Sequence, residues 1–274
     1  MLFLFKKGDI IFIQYPLPLN NKVRNLFYKI LLKKNVVIQI LIHDLPSIRF
    51  RQQDFEDSIL TDADIIICHT DAMKKFLIDI GVNSNNIKIL YLFDYITEST
   101  NKNQISFGDK ICFAGNLEKS EFIPKLVNVK DLHFCLYGLP SLSYTADSHI
   151  QYLGKFHPDN IECLVGDWGL VWDGDSIDTC SGSLGEYLKI NSSHKLSLYL
   201  AAGIPVIIWE KSSLKEFIES NKLGIAVKSL NDIAYYIKQL SMLDKQMIKK
   251  SVQEFSTKLR NGEMLKDVLN QLNF

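Results

Sequence analysis

Short runs of nearly unbroken apolar character restrict this chain more than any other feature. They fall at residues 9–14, 36–42, 64–68, 87–92, 110–114, 132–137, 168–172 and 205–208, with a shorter one at 151–153. A strand that faces water on one side alternates apolar and polar residues, whereas a continuous run expects cover on both faces. Continuous runs are the pattern of parallel sheets, and parallel neighbours need crossover connections, which helices supply in the right-handed sense. Helical spacing is read at 22–34, near 52–60, and at 71–80, 197–202, 212–220, 230–240, 244–259 and 263–272. Strands alternating with helices predict an α/β fold.

The polar stretch 97–109 (opening Thr-Glu-Ser-Thr-Asn-Lys-Asn-Gln) has no hydrophobic period until Phe107 and reads as a linker. It divides the chain into an N-terminal domain, residues 1–96, and a C-terminal domain, residues 109–274, each a series of α/β units. Two Rossmann-like domains facing a cleft are the expected architecture, and 274 residues suffice for both. With 31 basic and 31 acidic residues, there is no overall attraction to nucleic acid. Cys68, Cys112, Cys135, Cys163 and Cys180 are scattered, odd in number and without a C-x-x-C pair. Neither a disulfide framework nor zinc is expected, and a reducing cytosol is the expected setting. Met1-Leu-Phe-Leu-Phe5 is too short for a signal segment, and no run reaches the roughly 20 apolar residues of a membrane span.

Residues 22–34 form a basic amphipathic helix with Val23, Leu26, Phe27, Ile30 and Leu31 on one face. Two readings stay open: a helix packed on a sheet with solvated lysines, or attraction to the inner face of an anionic membrane.

Candidate chemistry concentrates in residues 166–209, read as strand, polar loop, helix and strand. Asn191, Ser192 and Ser193 offer N-cap oxygens, and Gly203 stops the helix. His194 and Lys195 sit in the first turn, where a cation opposes the helix dipole at a cost of roughly 0.3–1 kcal/mol. An anion bound there reverses the sign, so a phosphate site is predicted. Gly115-Asn116 follows the first strand of the second domain, where a glycine lets backbone approach a phosphate and Lys119 adds charge; an ordinary turn is the alternative. Asp173, Asp175 and Asp178 are suited to a hard cation, but equally to a loop bonding its own backbone. Structural or sugar-contacting roles are favoured over metal. His43 and Asp44 follow a strand end and are the candidate general bases, with a backbone-satisfied loop histidine as the alternative. His69, with Thr70 and Asp71, reads as part of an ordinary helix cap.

Three segments belong together: Ile42-His43-Asp44-Leu45, Phe113-Ala114-Gly115-Asn116-Leu117, and Trp172-Asp173-Gly174-Asp175-Ser176 through Thr179-Cys180-Ser181-Gly182. With Tyr187-Leu188-Lys189, His194-Lys195 and Ser197-Leu198-Tyr199-Leu200, they resemble bacterial β-1,6-galactofuranosyltransferases of O-antigen and capsule assembly. A more distant similarity links them to glucosyltransferases that extend glycans on streptococcal serine-rich adhesins. The resemblance covers nearly the whole chain. It implies a GT-B fold, with the donor nucleotide held by the C-terminal domain.

By matching position, the resemblance puts Gly115, Asn116 and Lys119 near the diphosphate. Ser193, His194 and Lys195 fall at the nucleotide, and Asp173 and Asp175 at the donor sugar. It includes His43 and Asp44 without stating their role. Measured against the family, the chain begins at its second strand, so an N-terminal domain lacking its first βα unit is expected. Such a domain is expected to hide its exposed edge by self-association into a homo-oligomer. Retaining GT-B enzymes carry a glutamate five residues before the Gly-x-Pro glycine, and here that position is Leu198, which implies an inverting transfer. The expected activity is transfer of galactofuranose from UDP-galactofuranose to a glycan acceptor, free or lipid-linked, without metal or other cofactor. The open alternatives are a UDP-glucose-dependent transfer to a protein-linked glycan and an inactive nucleotide-binding subunit.

Overall fold

The computed structural model describes residues 5–50, 58–99, 105–139 and 148–272. It divides into two compact units, Met1–Tyr91 and Leu92–Phe274. In the first, strands β1 (Ile10–Tyr15), β2 (Val37–Ile42), β3 (Ile65–Cys68) and β4 (Ile87–Ile89) form one sheet in the order β1-β2-β3-β4. Every pairing is parallel, with Ile13 opposite Ile40 and Ile66 opposite Ile87. Helices α1 (Asn21–Lys34), α2 (Pro46–Phe50) and α3 (Asp71–Asp79) supply connections. Of the helix expected near 52–60, residues 52–57 lie outside the described residues and 58–60 form a turn.

Asn20 caps α1 by accepting from the Val23 N–H, and Asn35 ends it in the left-handed region at φ 49°. The buried face is not the expected one. Arg24, Tyr28 and Leu31 pack inward, while Val23 and Leu26 are exposed and Phe27 and Ile30 half-buried. Tyrosine rings and arginine stems carry enough apolar surface to make a core stripe, which a count of aliphatic residues overlooks. Strand β1 also departs from expectation, because Ile10 and Phe12 lie open on one of its faces.

The second unit holds a six-stranded parallel sheet. Its strands are β5 (Lys110–Ala114), β6 (His133–Tyr137), β7 (Ile150–Tyr152), β8 (Trp168–Val171), β9 (Val206–Trp209) and β10 (Gly224–Val227). The order is β10-β9-β8-β5-β6-β7. The chain runs outward from β5 to β7, then returns to the other side of β5 and runs outward again from β8 to β10. The sheet therefore has a topological switch point between β5 and β8, the place where open α/β sheets meet ligands at strand C-termini.

Helices α4 (Gly182–Tyr187), α5 (His194–Ala201), α6 (Lys215–Ser220), α7 (Ile233–Gln239), α8 (Met242–Arg260) and α9 (Glu263–Asn270) complete the unit. Strand β10 and helix α4 lie in stretches where neither was expected. Trp168, Trp172, Trp209, Tyr199, Phe113 and Phe134 anchor the core, and Cys112, Cys135 and Cys180 are buried beside them as small apolar side chains. Gly169 of β8 is needed because a Cβ there would stand 2.2 Å from the ring of Tyr199. Its absence lets α5 lie close on the strand. Residues 92–96, expected with the first domain, belong to the second unit. The Asp94 carboxylate accepts from the Met264 and Leu265 N–H groups at 2.9 Å, capping α9. Among the described residues, no helix is long and apolar enough to cross a membrane.

Candidate active site

At the switch point the C-terminal end of β5 delivers Gly115, and the end of β8 delivers Trp172 and Asp173. Helix α5 starts beside them. Ser193 caps it, its hydroxyl accepting from the Lys195 N–H at 3.4 Å. The Tyr199 hydroxyl, one turn further and fully buried, accepts from the Ala114 N–H at 2.8 Å. That bond ties the residue preceding Gly115 to the helix. A side chain at 115 would stand 3.8 Å from Cδ of Lys195, so the glycine keeps the space beside the lysine open.

Lys195 is the centre of the cluster. Its Nζ lies 2.8 Å from Asp173 Oδ1, 3.5 Å from the Trp172 carbonyl oxygen and 5.0 Å from the centre of the Phe113 ring. The pair is mostly shielded, with 16% and 22% of the two side chains exposed. A cation against the helix dipole thus finds its anion within the chain. An external phosphate is not needed to account for Lys195, which corrects the argument from the dipole alone. His194 is exposed and stacks on Phe93, with ring centres 4.3 Å apart and planes 13° from parallel. The hydroxyls of Ser192 and Ser197 and the Asn191 Oδ1 are buried without a hydrogen-bond partner among the described residues. Buried polar groups are rarely left so, and three of them give this end of α5 unused capacity.

The turn after β5 is closed by Asn116, whose Oδ1 accepts from the Lys119 N–H at 3.1 Å and whose carbonyl accepts from the Ser120 hydroxyl at 2.9 Å. A 3₁₀ segment, Ile123–Asn128, follows in place of a long helix. Lys119 is exposed.

The carboxylates of the acidic loop diverge. Asp173 pairs with Lys195, Asp175 accepts from the Ser181 hydroxyl, and Asp178 accepts from Asn231 Nδ2 at 3.2 Å. The Ser181 bond, with smaller help from Lys125, holds the Asp175 carboxyl below its usual range. Lys125 also donates to the Asp175 carbonyl, and the Trp172 indole donates to the Ser176 carbonyl at 2.8 Å. Gly174, at φ 105°, permits the tight return, since a Cβ there would meet the Ser181 carbonyl oxygen at 2.2 Å. Among the described residues, no group of three or more His, Cys, Asp or Glu side chains is placed to hold a metal ion.

In the first unit, His43 and Asp44 follow the end of β2. The His43 N–H donates to the Tyr15 carbonyl at 2.7 Å, and its Nε2 bonds the Gln14 Oε1. Burial lowers the His43 pKa from its ordinary 6.5, against the smaller opposing pull of Asp44. That shift favours the neutral imidazole. Asp44 is paired with Arg49 of α2. Thr70 caps α3, its hydroxyl accepting from the Met73 N–H at 3.0 Å, and His69 beside it is fully buried.

The glucosyltransferase 3-like family matches the chain twice, its N-terminal domain over residues 1–92 and its C-terminal domain over residues 111–272. The β-1,6-galactofuranosyltransferase WbbI of Escherichia coli K12 is 33% identical over 253 residues, 90% of this chain and 73% of that protein. Glucosyltransferase 3 of Streptococcus gordonii is 27% identical over 269 residues, 96% of this chain and 78% of its own length. Among solved structures, Anabaena HepE in complex with UDP and glucose superposes with a TM-score of 0.57 at 14% identity, covering 96% of this chain and 78% of that one. Sheet order, switch-point cluster and these likenesses together define a glycosyltransferase of the GT-B fold. Within that class, the chain belongs to the glucosyltransferase 3-like family.

Proposed function

We propose that this glycosyltransferase transfers galactofuranose from UDP-galactofuranose to a sugar hydroxyl of a surface glycan, with inversion. The observation that carries the reading is the meeting of Gly115, Lys195 and Asp173 at the switch point, in a chain 33% identical to a galactofuranosyltransferase. The leaving UDP gains charge on its β-phosphate as the glycosidic bond breaks. Lys195, the first turn of α5 and Lys119 stabilise that charge, so no metal ion is required. Asp173 turns from Lys195 toward the hydroxyls of the donor sugar, and Asp175 stays held by Ser181. His43 is the group that takes the proton of the attacking acceptor hydroxyl as the new bond forms.

The second reading is glucosyl transfer from UDP-glucose to a protein-linked glycan, favoured by the likeness to a streptococcal glucosyltransferase over 96% of the chain. Incubation with each donor and a panel of hexose acceptors separates the two. A β-linked galactofuranosyl product supports the first. Product from UDP-glucose alone, or a retained anomeric configuration, overturns it.

A further inference from the structure

Helix α1 carries two distinct stripes, and the outward one takes no part in the mechanism proposed above. Arg24, Tyr28 and Leu31 point into the unit. Val23, Leu26 and Ile30, spaced three and four residues apart, run along the opposite side, and Leu19 lies just before the helix. Leu19, Val23 and Leu26 are 41%, 42% and 60% exposed. Lys22, Lys29 and Lys33 are exposed along one flank of this stripe, and Lys34 lies on the other. The Phe5 ring meets Phe27 edge to face at 6.2 Å, which brings exposed Lys6 and Lys7 to the same helix.

The charge is concentrated there. Residues 1–43 carry seven basic side chains against the single acid Asp9, although the whole chain is neutral. We infer that this face of α1 docks the protein on an anionic lipid bilayer, leucines in the interface and lysines among the headgroups. An amphipathic helix with basic flanks binds in this way, through apolar burial plus attraction to anionic lipid. A second copy of the chain fits the face less well. A two-fold interface sets the same patch against itself, and lysines would then oppose lysines. A nucleic acid would leave the leucine stripe uncovered.

Flotation of the full chain with phosphatidylglycerol vesicles and with pure phosphatidylcholine vesicles tests the inference. Wild type is expected to float with the anionic vesicles only, and to be released by high salt. The triple variant Lys22→Gln/Lys29→Gln/Lys33→Gln, which leaves the packed face untouched, should lower the partition by on the order of a hundredfold, about fivefold per lysine. Leu26→Glu should lower it further without altering the fold, since Leu26 is the most exposed residue of the stripe. Equal binding to neutral vesicles, or no binding at all, overturns the inference. So does light scattering that shows a wild-type dimer split by Leu26→Glu, which would give the face to a second copy.

Discussion

Replacing Asp173 and Lys195 one at a time separates their roles, because the two single variants should move UDP binding in opposite directions. At 2.8 Å and an effective dielectric of about 20, their gross attraction is about 6 kcal/mol. Desolvation of two mostly shielded charges offsets most of it, leaving a net value on the order of 1.5–3 kcal/mol. Asp173→Asn keeps an amide beside the ammonium and should cost about 1–2 kcal/mol, read as a lower midpoint in urea. Its effect on ligand binding should have the opposite sign. Without the carboxylate, Lys195 is free for the diphosphate, and a repulsion worth about 1 kcal/mol at such distances disappears. Calorimetry should then show UDP binding about fivefold tighter. Lys195→Met should instead weaken UDP by about 10- to 150-fold, the loss of one hydrogen bond to a charged group. With the UDP-sugar as substrate, Asp173→Asn should lose turnover despite its tighter hold on UDP. If Asp173→Asn weakens UDP as much as Lys195→Met does, Lys195 does not exchange Asp173 for phosphate, and the reasoning fails.

Three further outcomes are expected. Tyr199→Phe leaves the buried Ala114 N–H without its acceptor and should cost about 1–3 kcal/mol in denaturant unfolding; an unchanged midpoint would remove the tie between α5 and the Gly115 turn. Because burial lowers the His43 pKa and the base must be neutral, kcat/KM should be flat above pH 7 and fall only as pH drops below 6.5. His43→Gln should abolish that acidic limb and reduce kcat by about 10²- to 10⁴-fold, and a wild-type profile in the variant would exclude His43 as the base. Turnover in EDTA should equal turnover in magnesium, whereas a loss restored by manganese would make Asp173 and Asp175 metal ligands.

The strands were legible because burial on both faces leaves a mark in consecutive residues, as in Ile65–Cys68 and Val206–Trp209. Gly224–Val227, equally short, leaves little mark because it opens on a glycine and carries the small Ala226 among its apolar residues. That glycine is set by its neighbour, since a Cβ there would lie 1.9 Å from the Val206 carbonyl oxygen. Helix α4 was hidden by Gly182, Ser183 and Gly185, poor helix formers that tertiary packing holds in place. Gly185 again has no room for a side chain, with the Cys180 carbonyl carbon 2.5 Å from where its Cβ would stand. In α1 the spacing identifies the apolar residues but not the face they occupy. Nothing local distinguishes a leucine that faces the sheet from one that faces away.

The site shows the same division between what spacing carries and what only folding assembles. Ser193, His194 and Lys195 share one helical turn, so their neighbourhood follows from the sequence. Lys195 and Asp173 are 22 residues apart, and His43 and Gln14 are 29. The second exists because parallel β1 and β2 end at one edge of their sheet, and the first because α5 starts beside the end of β8. The acidic loop shows why composition alone was ambiguous there. Asp173, Asp175 and Asp178 lie within six residues, as a metal-binding loop would place them, yet each carboxylate has a different partner. Asp175 and Asp178 are held by Ser181 and Asn231, which fixes the shape of the loop. Asp173 is held by the one residue of the three that a bound diphosphate would compete for. A carboxylate and an ammonium that neutralise each other before the donor arrives keep both groups ordered and the shielded pocket uncharged. Under the proposed function, the incoming diphosphate would then separate them, leaving the cation for the phosphate and the anion for the sugar.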